Sequence, residues 1–297
     1  MIEFYSSYLG FLTCSPLVVA IILDLRKIQN NCSKYMLFLI SISLAFYNEI
    51  IDINGLLLTT ISLLFVIYAR LYGHTSKNIT TIFKSILVIL TSASVFHVLP
   101  GFHNLILINN ISLSLSSAPL RCYVNFDKLY FIASSLMIFS PSIMMDGIKG
   151  FVNTVHDTIK ILTITLLFLL STAYILHFVK FDMKFDVIVF AIWSINNLFI
   201  VCLGEEVLYR YVIIEKTIIY LNKYKKYAKI ISISISSFLF SLEHLPNVPF
   251  AMLALIAGIF YSILYLKNRN VVSSICLHFL VNTTHFIFFS YPYLKHN

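Results

Sequence analysis

Apolar runs of about 16 to 22 residues follow one another along almost the whole chain, and a helix needs roughly 20 such residues to cross a hydrocarbon core about 30 Å thick. Lipid offers no partner for an exposed backbone N–H or C=O, so segments of this kind have to cross as helices. Only 11% of the residues are charged while 59% are hydrophobic, and the mean hydropathy is +0.88. A soluble domain carries about 25% charged residues, so this chain lacks the polar surface to face water all round.

Ten apolar segments can be drawn, at 8–23, 35–47, 55–69, 82–98, 129–145, 161–178, 185–203, 230–243, 249–266 and 271–290. The second is short and can pair with the third as a bent hairpin around Asn48, Glu49, Asp52 and Asn54. The pattern predicts an all-α, polytopic transmembrane helical bundle of about 9–10 spans, without internal repeats. Glu3 rather than a basic stretch precedes the first run, and no small-residue cleavage site follows it, so it reads as the first span and not as a removable signal. Cys14, Cys32, Cys122, Cys202 and Cys276 are odd in number and lack C-x-x-C spacing, which argues against both a disulfide framework and a cysteine metal site.

The net charge of +8 is spread in short basic clusters between apolar runs, a topology signal rather than a nucleic-acid patch. Alternating the loops puts Arg26, Lys27, Lys34, Arg70, Lys77, Lys84, Lys149, Lys160, Lys216, Lys223, Lys225, Lys226, Lys229, Lys267 and Arg269 on one side, fifteen of the 21 basic residues. Arg121, Lys128, Lys180, Lys184 and Lys295 fall on the other. Lys/Arg excess marks the cytoplasm, so both termini are expected outside, with a bacterial inner (cytoplasmic) membrane as the expected location. The run Lys216 to Lys229, interleaved with Tyr220, Tyr224 and Tyr227, then faces anionic lipid headgroups. The longest polar connection, 99–128, is assigned to the external face. The expected organisation is N-terminal helices with this external loop over 1–180 and a helical core over 181–297.

Ionisable residues inside spans cost about 2.5–3.5 kcal/mol each on insertion scales, so each needs a reason. Glu205 and Glu206 are adjacent and precede Arg210 by five and four positions. Glu206 and Arg210 are i,i+4 neighbours that can pair, which leaves Glu205, pointing about 100° away, as the freer carboxylate. The bland alternative is that both glutamates mark the water edge of a long helix. His244 ends the next apolar run in Phe240-Ser241-Leu242-Glu243-His244, and His278 and Asn282 share a face of the last span at i,i+4. A lone interfacial histidine means little, but an imidazole and a carboxamide on one face within a span are harder to dismiss. At about 1.5 Å per residue, Glu205, His278 and His244 lie roughly 15, 12 and 22 Å from the basic ends of their segments, within one slab of membrane. His97 and His285 read as interfacial packing.

The ordered set E-E-x-x-x-R, F-x-x-x-H and H-x-x-x-N on successive helices resembles the CPBP family of intramembrane peptidases, which includes CAAX prenyl endopeptidases and bacterial Abi-type, bacteriocin-processing members. The resemblance covers about 185–290 and carries the family's hallmark residues onto Glu205, Glu206, Arg210, Phe240, His244, His278 and Asn282. Gly101-Phe102-His103-Asn104 and Asn125-Phe126-Asp127-Lys128 look like stretches found in some bacterial members. The resemblance implies an intramembrane endopeptidase acting on a membrane-associated or exported peptide or protein: a prenylated C-terminus, the leader of a small secreted peptide, or a C-terminal anchor. Glu205 with His244 would activate water, and His278 with Asn282 would donate to the oxyanion.

No cofactor is expected. Zinc is the alternative, held by Glu205, His244 and His278 with a water in the fourth position. Against it, there is no H-E-x-x-H pair, and neither histidine has a carboxylate partner recognisable in the sequence apart from Glu243, which points about 100° from His244 on a helix. Two other function classes remain in play: a transporter or channel using the same carboxylates and His278 as a relay, and a catalytically silent scaffold. The absence of repeat symmetry and of paired Gly/Pro-broken spans argues against a transporter. Lipid and a polypeptide substrate are the expected partners, and nucleic acid is not.

The charge alternation predicts that single cysteines at Lys226 and Ser114, in a background without native cysteines, label oppositely with an impermeant reagent on intact cells. Labelling at Ser114 alone is expected. Labelling at Lys226 alone would invert the topology.

Overall fold

The computed structural model describes every residue except 1, 27, 29, 74, 140–146, 296 and 297. Lys27, placed on the cytoplasmic face by its charge, and residues 140–145 of the apolar segment 129–145 lie outside the described residues. Among those described, each predicted apolar segment corresponds to a helix: α1 (Phe4–Leu25), α2 (Asn31–Tyr47), α3 (Ile53–Tyr72), α4 (Lys77–Val95), α5 (Phe126–Phe139), α6 (Gly147–Ile175), α7 (Val187–Tyr220), α8 (Lys225–Leu242), α9 (Val248–Asn268) and α10 (Val271–Phe288). In seven of them, a segment is long and apolar enough to cross a membrane: α1, α3, α4, α6, α7, α9 and α10. The other three fall short of the nine to ten expected spans for identifiable reasons. α2 has 17 residues, α5 is described only as far as Phe139, where the undescribed residues 140–146 begin, and α8 opens on the lysine-rich sequence Lys225-Lys226-Tyr227-Ala228-Lys229.

The chain forms two compact units, one of residues 3–107 and 122–142 and the other of 1–2, 108–121 and 143–297. In the first, α5 is the core. Its residues from Phe126 to Met137 are all buried, packed by α1, α3 and α4, and a helix apolar on every side belongs inside a bundle. The α2–α3 turn forms where predicted, with Asp52 capping α3 by accepting from the backbone N–H groups of Asn54 (2.7 Å) and Gly55 (3.2 Å). Gly101, at φ +81°, lies so close to Gly55 that a Cβ on either would collide with the other's backbone.

At the opposite end of this unit Asp24 accepts from Lys34 Nζ (2.5 Å) and Arg70 Nη2 (3.0 Å), and Arg70 also donates to Asn31 Oδ1 and to the carbonyl of Met137. This ties α1, α2, α3 and α5 with charges that have left water, so the arrangement holds only while every partner is present.

The polar stretch 99–128 is not an irregular loop. It holds a two-stranded hairpin, β1 (Leu105–Ile111) and β2 (Leu120–Val124), within which the chain passes from one unit to the other. The apolar run Leu105-Ile106-Leu107-Ile108 and the alternation in Leu120-Arg121-Cys122-Tyr123-Val124 are the local signals, too short to outweigh the surrounding Asn, Ser and Pro residues. In the first unit Asn104 accepts from the backbone N–H of Phe126 (3.1 Å) and donates to Asp127 Oδ1 (3.2 Å), so the two stretches singled out in the sequence meet. His97, expected as simple packing, sits 2.8 Å from Asp127 Oδ2 through its Nδ1.

In the second unit α6 packs on α9 and α10, and α8 packs on α9 and α7. A strap between α6 and α7 runs beside the chain end: Asp182 N–H donates to Phe288 O, Lys184 N–H to Ile287 O, and Leu294 N–H to Phe178 O. Ser114 and Ser116 donate to the Asp182 carboxylate. Burial alone would raise that carboxyl, but the two hydroxyls and the charges of Lys184 and Lys180 hold it below the usual range.

Breaking a buried ion pair from one side costs about 3–5 kcal/mol. Asp24→Ala is therefore expected to lower the thermal midpoint in detergent markedly, and adding Lys34→Met should recover part of the loss. An unchanged midpoint in Asp24→Ala would remove this network from the account of the fold.

Candidate active site

α7 is one continuous helix of 34 residues, so the E-E-x-x-x-R motif lies at its middle and not at a water edge. It is not uniformly α-helical. Asn197–Cys202 and Val207–Ile214 are π-helical, and the four residues Leu203–Glu206 between them are α-helical. Wider turns of this kind concentrate at functional sites because they re-aim side chains that an unbroken α-helix would spread around its axis.

Glu205, Glu206, Arg210 and His278 are all buried, with Glu206 and Arg210 fully so. Arg210 Nε lies 3.1 Å from Glu206 Oε2, as the i,i+4 spacing predicts. The N–H does not aim at that oxygen, so the contact is ionic rather than a hydrogen bond. Arg210 Nη2 donates to Gly258 O (3.3 Å), and the guanidinium carbon lies 4.8 Å from the Phe240 ring centre, 5.4 Å from that of Tyr261 and 5.8 Å from that of Tyr209. The cation is thus held by ring faces as well as by Glu206. At Gly258 an added Cβ would lie 3.1 Å from both Phe240 and Ser237, so this glycine lets α9 approach α8 closely enough for its carbonyl to serve Arg210.

Two sequence expectations change here. The adjacent glutamates do not diverge: His278 Nδ1–H donates to Glu206 Oε1 (3.0 Å), and His278 Nε2 stands 3.9 Å from Glu205 Oε2. Side chains about 100° apart on α7 reach opposite ends of a single imidazole, because α10 delivers that ring between them. His278 therefore does have a carboxylate partner, and the argument against metal drawn from the lack of one fails for this residue.

Phe240 is the hub. Its ring centre lies 5.2 Å from that of His244, 5.7 Å from His278, 5.5 Å from Tyr209 and 6.2 Å from Tyr261. Both imidazoles meet it near edge-on, so it spaces the two histidines. His244 Nδ1–H donates to the carbonyl of Phe240 (3.1 Å), which leaves the Nε2 lone pair as the basic position of the neutral ring. Asn282 Nδ2 donates to Asn197 Oδ1 (3.3 Å). His285, expected as packing, donates through Nε2 to Ser290 O (3.2 Å).

Several residues escaped the sequence reading. Tyr261 stacks on His278 with ring centres 4.7 Å apart, and Tyr209 donates its hydroxyl to Glu243, the neighbour of His244. Asn197 had a signal, as half of a polar pair within an apolar run. Tyr261 had none, being one aromatic among many. Among the described residues no three His, Cys, Asp or Glu side chains are gathered as a metal would need.

Residues 187–284 match the family model of the Rce1-like, type II CAAX prenyl endopeptidases. Over this region the chain is similar to the CPBP-type intramembrane peptidases. The match covers a third of the chain and contains every element that carries the site, α7 to α10. No curated protein and no solved structure matches. The peptidase region together with the apolar helices makes the chain a multi-pass integral membrane protein with a polypeptide substrate.

Arg210→Ala leaves Glu206 as a buried carboxylate with its guanidinium removed, expected to cost about 3–5 kcal/mol in a detergent melt. Glu206→Gln with Arg210→Met should be more stable than Arg210→Ala, since a thioether suits the three surrounding rings. Equal or lower stability of the double variant would show that the ion pair is not what the arginine contributes.

Proposed function

We propose that the chain hydrolyses a peptide bond inside or at the edge of the membrane by a glutamate-activated water, without metal, with residues 181–297 as the catalytic core. The observation that carries this reading is the approach of Glu205 and His278 Nε2 to 3.9 Å in a buried site. One water bonded to each at about 2.8 Å spans that separation.

In the proposed reaction Glu205 accepts a proton from the water as its oxygen bonds to the scissile carbonyl carbon. The tetrahedral intermediate then collapses with cleavage of the C–N bond, and Glu205 returns the proton to the leaving nitrogen. The products are a carboxylic acid and an amine. His244 orients the water through Nε2. Asn282 donates to the oxyanion from Nδ2, and His278 does so from Nε2 when its ring carries both protons, a charge that Glu206 and the oxyanion offset once Glu205 holds the proton taken from water. Glu206 and Arg210 keep the His278 ring in place. Low dielectric strengthens each of these interactions relative to water.

The substrate presents its scissile bond next to a membrane-held group, and a farnesylated C-terminal CAAX peptide is the probe that the family match selects. General acid–base catalysis contributes about 10²–10⁴-fold, so Glu205→Gln in proteoliposomes should lose at least about 100-fold in kcat on that probe while inserting normally. Retained activity would sink the general-base role. The wild-type protein should also contain no stoichiometric zinc and should survive prolonged chelation. Activity lost on chelation and restored by zinc would overturn the metal-free reading.

A further inference from the structure

We propose that Asn197 is a positioning residue, which turns the Asn282 carboxamide so that its N–H end serves the reacting carbonyl. This rests on the reading of Asn282 as an oxyanion donor. A terminal carboxamide has two orientations of almost identical shape, and only one presents a donor at a given point. An unrestrained Asn282 would offer its oxygen to the developing oxyanion in the wrong orientation, where two acceptors repel.

Asn197 removes that ambiguity. Its Oδ1 accepts from Asn282 Nδ2 at 3.3 Å and from the Cys202 thiol at 3.3 Å, and Asn282 Nδ2 also donates to Cys202 Sγ at 3.8 Å. Turning the Asn282 amide over would set its oxygen against Asn197 Oδ1. Asn197 Oδ1 and Cys202 Sγ lie 3.3 Å apart on the same side of Asn282 Nδ2, so one hydrogen shared between them leaves the second in the amide plane for substrate. Asn197 and Cys202 are both buried, so water does not substitute for either partner.

The π-helical stretch is what makes the arrangement reachable. Asn197 opens it and Cys202 closes it, five positions apart. On an α-helix five positions correspond to a rotation of about 140°, and the two side chains would point to different sides. With i→i+5 backbone pairing they lie over one another and face α10 together.

The test is a double-mutant cycle in proteoliposomes with the farnesylated CAAX peptide, reading kcat and KM separately, and checking fold by thermal unfolding in detergent. Asn197→Leu, similar in size but without an acceptor, should lower kcat on the order of 10-fold with KM little changed, less than the 10²–10³-fold cost of deleting a donor. Asn197→Asp, which keeps an acceptor, should retain most of kcat. If Asn197→Leu does not fold, Asn197→Ser, too short to reach, takes its place with the same expectation. In an Asn282→Ala background, loss of the Asn197 acceptor should lower kcat no further. Additive losses, or an unchanged kcat in the variant without an acceptor, would overturn the positioning role while leaving Asn282 as donor. Wild-type kcat in Asn282→Ala, or a wild-type protein inert on the peptide, would instead overturn the reading on which the proposal rests.

Discussion

Two carboxylates at the centre of a 34-residue apolar helix are the constraint around which the second unit is organised. An ionised group taken out of water loses several kcal/mol even after relaxation, and two adjacent ones repel. The chain answers with Arg210 one turn away, and α10 brings His278 against both glutamates. Arg210 in turn needs surroundings that tolerate a guanidinium, which Gly258 O and the rings of Tyr209, Phe240 and Tyr261 supply. Most of the side chains that pack α7 against α8, α9 and α10 at this level are therefore there because Glu205 and Glu206 are.

The same arrangement explains why α7 departs from α-helical geometry. Packing four helices around a compact charged cluster requires side chains to aim inward from positions that a regular helix would distribute around its axis. The two π-helical stretches redirect them on either side of the glutamates, bringing Asn197 and Cys202 together before the motif and setting Tyr209 and Arg210 against Phe240 after it. Backbone irregularity here sits next to polar groups buried in protein, where freed carbonyls and amides still find partners, the one circumstance in which a membrane helix tolerates it.

The first unit meets the same difficulty with other residues. Asp24, Lys34 and Arg70 form one network and Asp127, His97 and Asn104 another, each built on a buried carboxylate and joining elements distant in sequence. The apolar helix α5 provides their common core. Its composition made it look like a span, because a helix buried in protein and a helix buried in lipid have the same apolar surface, and only the packing of α1, α3 and α4 around it separates them.

What the sequence determined by itself follows from local rules. Apolar length located all ten helices, the i,i+4 spacing paired Glu206 with Arg210 and put His278 and Asn282 on one face, and the ordered motifs named the peptidase family. Each of these depends on distances along one chain segment, which helix geometry converts directly into space. The hairpin within 99–128, the burial of α5, the π-helical turns, the placing of one imidazole between two glutamates, Phe240 as spacer of the two histidines, and the Asn197–Asn282 bond were decided only by tertiary structure. Each depends on the offset and rotation of one helix against another, and these are set by the summed packing of many apolar side chains, no one of which marks itself in the sequence.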